Sequence, residues 1–350
     1  MLNNKINKLL LFGGTFDPVH MGHVKICKEA IKKIRPDLTI IMPNKNPPLK
    51  PNEVFATTHD RLEMLKLAFK NIPNLIISEY EIRSLSEEPS YTSKTIKWLK
   101  KQYPKATIYL LIGSDRLHDF KKWHNYQYIL DNATLVVGVR KLNEKLPINV
   151  DAIKLTDEPV EASGQSLRDC LDPKLLDSNV LKYIRKHYLY LEGQIRPLMN
   201  DHRFQHTLRV RDTALRIAIN NNFEPLNKVI IAAMYHDICK QCNESEIKRI
   251  CKDVNTSMYP TWHTLHGLAA SIVMEDKYGI KDREVLNAVK NHCVPSKQID
   301  TLGKIIYLAD KLEPARTEED IPNRKKYLEL ADHDIDKAYE QVLKITQERY

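Results

Sequence analysis

The chain has 350 residues, is 42% hydrophobic and carries a formal net charge of +9. That length implies two domains, and no apolar run approaches the ~20 residues that cross a bilayer, so a membrane-spanning role is excluded. The basic excess points to anionic partners, but Lys97, Lys100, Lys101, Lys105, Lys121 and Lys122 are scattered without interleaved aromatics. Phosphate-bearing small molecules are therefore expected, with no nucleic acid and no membrane.

Met1 to Lys8 is polar and precedes only four apolar residues, too few for a secretory signal. Six cysteines lie far apart, against a disulfide framework, and Cys239-Lys240-Gln241-Cys242 lacks the second pair that a zinc ribbon needs. Cytoplasm is the expected compartment. A homo-oligomer is compatible with this pattern.

Leu9 to Phe12 reads as a buried first strand, followed by Gly13-Gly14-Thr15-Phe16-Asp17-Pro18-Val19-His20-Met21-Gly22-His23. Two glycines permit a tight turn and close approach of a ligand, and Asp17-Pro18 makes a rigid turn before the next helix. Val24, Cys27, Ile31 and Ile34 then repeat at helical spacing. Strand, glycine turn and helix N-terminus together suit a phosphate, and His20 and His23 can both point into that anion site.

Further strands are predicted over Leu38–Met42, Leu75–Ile82, Thr107–Ile112 and Thr134–Val139. Helical spacing between them (Leu62, Leu65, Phe69; Ile96, Leu99, Tyr103) implies an α/β doubly wound, mostly parallel sheet of Rossmann type. Ligands are expected at the strand C-terminal ends, where the loops Pro43–Lys50, Pro89–Thr92 and Ile112–Asp115 lie.

The stretch from Gly13 to His23 resembles the GxFDPxHxGH signature of the HxGH nucleotidyltransferase superfamily. Ser90-Tyr91-Thr92, Gly113-Ser114-Asp115, Phe120-Lys121-Lys122-Trp123 and Ile129–Ala133 narrow the likeness to bacterial nicotinate-nucleotide adenylyltransferases. Asn179 to Tyr190 resembles the closing helix of that family, so the likeness covers about residues 7 to 190, and a first domain is expected over 1–190. The resemblance implies ATP, arriving with Mg²⁺, held by Gly13, Gly14, Thr15, Phe16, His20, His23, Ser163 and Arg168. It implies nicotinate mononucleotide near Thr92, Asp115 and Trp123, whose flat face suits a pyridine ring. His20 and His23 would be the catalytic pair. Leu49 replaces the family's usual histidine before Lys50, and Ala162-Ser163-Gly164-Gln165-Ser166-Leu167-Arg168 departs from ISSTxIR, with Ser166 read as a helix cap. Another acceptor, such as phosphopantetheine, is the alternative for this half.

Past Tyr190 strand signals fade and amphipathic helical patterns take over, so a second, all-α domain is expected over 191–350. His206 shares a helical face with Val210, Ala214 and Ile217, and an apolar helix ends in His236-Asp237. His266, His292 and Asp310 come later on separate predicted helices, with His263 a competitor to His266. Adjacent helix residues point about 100° apart, so His236 and Asp237 suit a paired site in which Asp237 bridges two ions. Imidazoles and carboxylates favour first-row transition metals over magnesium.

This ordered set resembles the HD-domain metal-dependent phosphohydrolases, and within them the bacterial enzymes that split diadenosine tetraphosphate into two ADP. The matching stretches are Arg203–Thr207, His236–Lys240, His266–Ala270 and Tyr307–Arg316. The resemblance implies metal ligands His206, His236, Asp237, His266, His292 and Asp310 for two transition-metal ions, iron or manganese. It implies Asp237 and Lys240 as catalytic residues and Arg203, Lys240 and Arg316 as phosphate contacts. Asn291-His292-Cys293-Val294-Pro295 departs from the family's HTTG-like stretch. A different HD nucleotide phosphatase or a nucleotide-sensing module is the alternative here. The tail from Lys325, with Ile335, Ala338, Val342 and Ile345, reads as a packing helix.

Overall fold

The structure is a computed structural model that describes residues 5–47, 55–84, 88–139, 151–155, 162–294 and 299–347. Leu49, Lys50 and Pro295 lie outside the described residues. Cα packing divides the chain into one unit of Met1–Arg168 with Asp172–Ile184, and another of Asp169–Leu171 with Arg185–Tyr350.

The first unit carries a parallel sheet of β1 (Lys8–Gly14), β2 (Leu38–Pro43), β3 (Leu75–Ile77), β4 (Thr107–Gly113), β5 (Thr134–Gly138) and β6 (Ala152–Lys154), in the order β3-β2-β1-β4-β5-β6. Continuous apolar runs make these strands because both faces are covered: Leu9, Leu10, Leu11 and Phe12 are all buried. The connecting helices are α1 (Met21–Ile34), α2 (Thr58–Phe69), α3 (Thr92–Gln102), α4 (Ser114–Leu117) and α5 (Tyr126–Asn132), with α6 (Gly164–Asp169) and α7 (Ser178–Lys186) after the sheet. The sheet order reverses at β1, so β1 and β4 leave their C-terminal ends side by side at the switch point where ligands bind in such folds.

Two strand expectations need correction. The third strand stops at Ile77 and does not run to Ile82. Ser78 still donates its N–H to Ile41, but β2 ends at Pro43, which has no N–H to offer, and the chain turns with Arg83 N–H on the Glu79 carbonyl. Tyr80 instead stacks on Trp98 of α3, at 4.1 Å between centroids. The short edge strand β6 was not expected, having only Ala152-Ile153-Lys154 to announce it.

The second unit is helical: α8 (Leu191–Ile195), α9 (Asp201–Asn220), α10 (Leu226–Tyr235), α11 (Glu244–Ile250), α12 (His266–Tyr278), α13 (Arg283–Asn291), α14 (Thr301–Leu312), α15 (Arg324–Ala331) and α16 (Ile335–Gln347). Helix α14 is apolar almost all round, with Leu302, Ile305, Ile306, Leu308 and Ala309 buried, and so forms the central rod against α9, α10, α13 and α16. In α16 the buried stripe is Ile335, Ala338, Tyr339, Val342 and Leu343, with Ile345 at its margin. Among the described residues no helix is long and apolar enough to cross a membrane.

Candidate functional sites

In the first unit the glycine turn is held by groups the motif alone does not reveal. A Cβ on Gly14 would lie 3.1 Å from the Phe16 ring, so that ring packs where only hydrogen fits. Phe16 takes a φ of 52° and meets Phe12 and His23 edge-on at 5.3 and 5.0 Å. This left-handed backbone costs on the order of 1–2 kcal/mol in a non-glycine residue and persists because its surroundings fix it. Asp17 is buried, and its carboxylate accepts the N–H groups of Phe55 (2.7 Å) and Ala56 (3.2 Å). Arg61 is fully buried and donates through Nη1 to the carbonyls of Thr15 (2.8 Å) and Asn44 (2.9 Å). One guanidinium thus ties the loops after β1 and β2 together. Its sequence signal is a charged residue on the apolar face of α2, one turn before Met64 and Leu65.

His20 and His23 open α1 with their rings 3.7 Å apart. The His20 N–H donates to Nδ1 of His23 at 3.3 Å. That bond fixes the neutral tautomer, so His23 carries its proton on Nε2 and presents an N–H donor beside the helix N-terminus. Both imidazoles line a cleft of ≈ 360 Å³ that also takes in Asp115, Ser163 and Arg168. A second cleft of ≈ 500 Å³ takes in Thr92 and Trp123, and both clefts include Gly13, Gly14, Thr15, Gly113 and Arg116. Two chambers therefore meet at one glycine turn. Trp123 brings a buried Nε1–H without a hydrogen-bond partner, and Thr92 is the first residue of α3. Asp115, expected near Thr92 and Trp123, lines the histidine-side cleft.

The segment Ala162–Arg168 corrects the cap assignment. Ser163 caps α6, accepting the Ser166 N–H at 3.0 Å, because the residue before the first helical position can reach the third N–H. Ser166 is that third position. Arg168 donates through Nη1 to the Asp17 carbonyl at 2.6 Å, and a Cβ on Gly164 would stand 2.9 Å from the same oxygen. The glycine that departs from the family pattern lets α6 approach the turn.

Five elements of the second unit bring six side chains together: His206 from α9, His236 and Asp237 from the end of α10, His266 from the start of α12, His292 from the end of α13 and Asp310 from α14. All six are buried. The two oxygens of Asp237 face different partners. Oδ2 lies 3.6 Å from His206 Nε2 and 3.4 Å from His236 Nε2, while Oδ1 lies 3.1 Å from His266 Nε2 and 3.5 Å from His292 Nε2. Asp310 Oδ1 is 3.1 Å from His206 Nε2. The competitor His263 packs its ring on Trp262 and offers its carbonyl to His266.

Helix ends set the tautomers. The last carbonyls of a helix lack N–H partners. The Nδ1 atoms of His236, His266 and His292 each sit 2.6–2.7 Å from the carbonyl three residues earlier, those of Ala233, His263 and Val289. An imidazole nitrogen at that distance from a carbonyl carries the proton, which leaves a lone pair on each Nε2, directed at Asp237. His206 Nδ1 faces Glu313 Oε1 at 3.1 Å, and Arg209 holds Glu313 at 2.6 Å. Sequence reasoning missed Glu313, although it lies one turn after Asp310 on the same helical face.

Lone pairs aimed at a buried carboxylate repel it unless a cation lies between them. Nε2 of His206 and of His236 are buried without a hydrogen-bond partner, so the donor set fits transition-metal ions. Burial pushes His292 down to about 4, which keeps it neutral and able to ligate. His206 goes the other way: burial lowers it, but Asp310 and Glu313 prevail and raise it. The expected phosphate contacts lie on the carboxylates, with Arg203 on Asp237 Oδ2 at 2.7 Å and Arg316 on Asp310 Oδ1 at 2.8 Å. Lys240 is exposed, its Nζ 3.5 Å from His266 Nε2.

Known families match both halves of the chain. The cytidylyltransferase-like family matches residues 11–172 and the HD domain family residues 203–315. A Mycoplasma genitalium protein named "Probable nicotinate-nucleotide adenylyltransferase/Ap4A hydrolase" is 35% identical over 97% of this chain and 98% of its own length. The Mycoplasma pneumoniae protein of the same name is 30% identical over 96% of this chain and 98% of its own. A Klebsiella pneumoniae protein named "Probable nicotinate-nucleotide adenylyltransferase" is 42% identical over 51% of this chain and 95% of its own.

Two measurements test the geometry. Glu81, beside the second cleft, accepts from Thr95 Oγ1 at 2.5 Å, and burial pushes it up to about 7. A carboxyl raised on folding contributes stability that is full below its unfolded value of 4.5 and lost as pH rises through 7. Glu81→Gln should lack this loss, narrowing the stability gap between pH 5 and pH 8 by on the order of 1 kcal/mol in denaturant unfolding. Parallel pH profiles for the two proteins would remove the assignment. Second, a Cβ on Gly267 would stand 2.9 Å from the Val289 carbonyl and 3.0 Å from both Cys293 Sγ and His292 Nδ1. Gly267→Ala should cost about 1–3 kcal/mol and lower bound divalent metal per chain. Unchanged melting and metal content would mean that this contact relaxes freely.

Proposed function

The chain belongs to the family of two-domain proteins that join a cytidylyltransferase-like domain to an HD domain, and from that premise we propose two reactions for it. Residues 1–190 transfer the adenylyl group of ATP to nicotinate mononucleotide, giving nicotinate adenine dinucleotide and pyrophosphate. Residues 191–350 hydrolyse diadenosine tetraphosphate to two ADP. Six free cysteines support the cytoplasm as the place of work.

The adjoining clefts carry the first reading. ATP takes the histidine-side cleft and nicotinate mononucleotide the cleft of Thr92 and Trp123, so the acceptor phosphate meets the α-phosphorus at Gly13-Gly14. An acceptor phosphate oxygen forms the new P–O bond as the bond to pyrophosphate breaks. No protein nucleophile is needed, and the chain contributes position and charge stabilisation. The Nε2–H of His23 and the N-terminal N–H groups of α1 meet oxygens whose charge grows, and Mg²⁺ arriving with ATP would supply charge neutralisation at the pyrophosphate. Trp123 offers the pyridine ring a flat face.

The divided environment of Asp237 carries the second reading. His206, His236 and Asp310 form one half of a metal centre, His266 and His292 the other, with Asp237 shared. Two transition-metal ions, iron or manganese, supply an activated water and neutralise phosphate charge when bound. The chain orients those ligands through Ala233, His263, Val289 and Glu313. Lys240 stands exposed at the rim, where a polyphosphate arrives, and Arg203 and Arg316 provide further positive charge.

Single substitutions should separate the activities. His23→Ala removes a donor of a kind worth ~2.7–4 kcal/mol, so dinucleotide synthesis should fall by orders of magnitude while tetraphosphate hydrolysis persists. Asp237→Ala should abolish hydrolysis and metal retention while synthesis persists. Loss of both activities in either folded variant would contradict two independent sites. Chromatography of hydrolysis products provides the other check: ADP alone is expected, and ATP with AMP would mean that attack falls off the central bridge.

A further inference from the structure

We propose that Cys293 is a sulfur ligand to the metal held by His266 and His292, giving this half of the centre a softer donor set than the other half. The inference rests on the reading of the helical unit as a metal-dependent hydrolase and adds a ligand that the six-residue set lacks.

Cys293 directly follows His292, and the proposed reaction does not use it. Its Sγ lies 3.0 Å from His266 Nε2 and 3.3 Å from His292 Nε2. Asp237 Oδ1 lies 3.1 and 3.5 Å from the same two nitrogens. His266, His292 and Cys293 offer one ligand atom each, all within 4.8 Å of one another. Bonds of about 2.0–2.1 Å to nitrogen and 2.3 Å to sulfur set tetrahedral ligand separations at about 3.3–3.6 Å. The separations of 3.3 and 3.5 Å fall in that range and those of 3.0 and 3.1 Å lie just below it, so the sulfur and the two nitrogens stand close to ligand spacing, with the Asp237 oxygen near both nitrogens.

The fold builds this approach. Gly267 comes directly after His266, and the space a Cβ would take there is bounded by Cys293 Sγ and His292 Nδ1, both at 3.0 Å. The thiol is thus seated against the start of α12 and the end of α13 together. Both imidazoles have committed Nδ1 to carbonyls, which turns each Nε2 lone pair inward. On coordination the S–H bond breaks, its proton passes to solvent and the S–metal bond forms. A thiolate shifts preference toward zinc or ferrous iron and away from manganese. The half around His206, His236 and Asp310 has nitrogen and oxygen donors only, so the two halves should differ in which metal they retain.

The test uses the full chain, stripped by chelator and reloaded. Cobalt(II)-loaded wild type should show a near-ultraviolet thiolate-to-cobalt charge-transfer band, lost in Cys293→Ser and Cys293→Thr and kept in Cys170→Ser, whose thiol is exposed. Zinc competed against manganese should be retained at least about tenfold less well at one of the two sites in Cys293→Thr. X-ray absorption at the zinc edge of loaded wild type needs no variant and should show a sulfur scatterer at about 2.3 Å. Nitrogen and oxygen scatterers alone would overturn the inference and leave the hydrolase reading standing, with Cys293 reduced to an S–H donor to His266. A band surviving in Cys293→Ser would overturn it by placing the sulfur elsewhere, Cys239 or Cys242 for example. Failure to bind any transition metal would overturn both.

Discussion

The helical unit depends on one buried carboxylate. Removing an ion such as Asp237 from water costs several kcal/mol unless neighbours neutralise it and fill its lone-pair directions. Arg203 neutralises one oxygen, and four imidazoles from α9, α10, α12 and α13 face the carboxylate through Nε2, so that a cation between them would complete the compensation. The packing of those helices around α14 is therefore coupled to the state of one side chain. Any cation shared by its two oxygens binds to the fold as much as to the residue, and metal binding here should be linked to folding.

The same economy of helix ends runs through both units with opposite sign. In the α/β unit, His20 and His23 stand at the N-terminus of α1, where unpaired N–H groups make a partial positive charge that favours phosphate. In the helical unit, His236 and His292 stand at the C-terminal ends of α10 and α13, where the aligned carbonyls make a partial negative charge. Those carbonyls take the Nδ1 protons and turn the Nε2 lone pairs toward the place where a cation is wanted. Neither arrangement needs an extra residue. For His23, His236 and His292 the backbone group beside the helix end decides whether Nε2 presents an N–H donor or a lone pair.

Much of this was legible in the residues. Apolar runs alternating with helical spacing imply the doubly wound sheet, and the cytidylyltransferase-like and HD families match the two halves in which the motifs were read. Partners distant in sequence decided the features that escaped. The third strand looked eight residues long because Ile77, Tyr80 and Ile82 are apolar, but its length is set by Pro43 in the neighbouring strand. Arg61 belongs to no motif, and its place is decided by the carbonyls of Thr15 and Asn44, far away in sequence. Ser163 and Ser166 differ by three positions, and only the start of α6 tells which one caps. Glu313 and Cys293 lay inside quoted stretches without being given a role, because their places depend on where α9, α12, α13 and α14 cross.

Two glycines in the first turns of helices are informative for the same reason. Gly164 and Gly267 both lie where a side chain would push a functional loop away, from the Asp17 carbonyl in one unit and from His292 in the other. Each is a steric condition on a site, though neither touches a substrate. A glycine of this kind has an intrinsic cost in a helix, about 1 kcal/mol relative to alanine. That cost is borne in the first turn of α6 and the first turn of α12, where helix geometry is least demanding and close approach matters most. Both units thus place a helical glycine where a short distance to a backbone carbonyl, that of Asp17 or of Val289, sets the geometry of a candidate site.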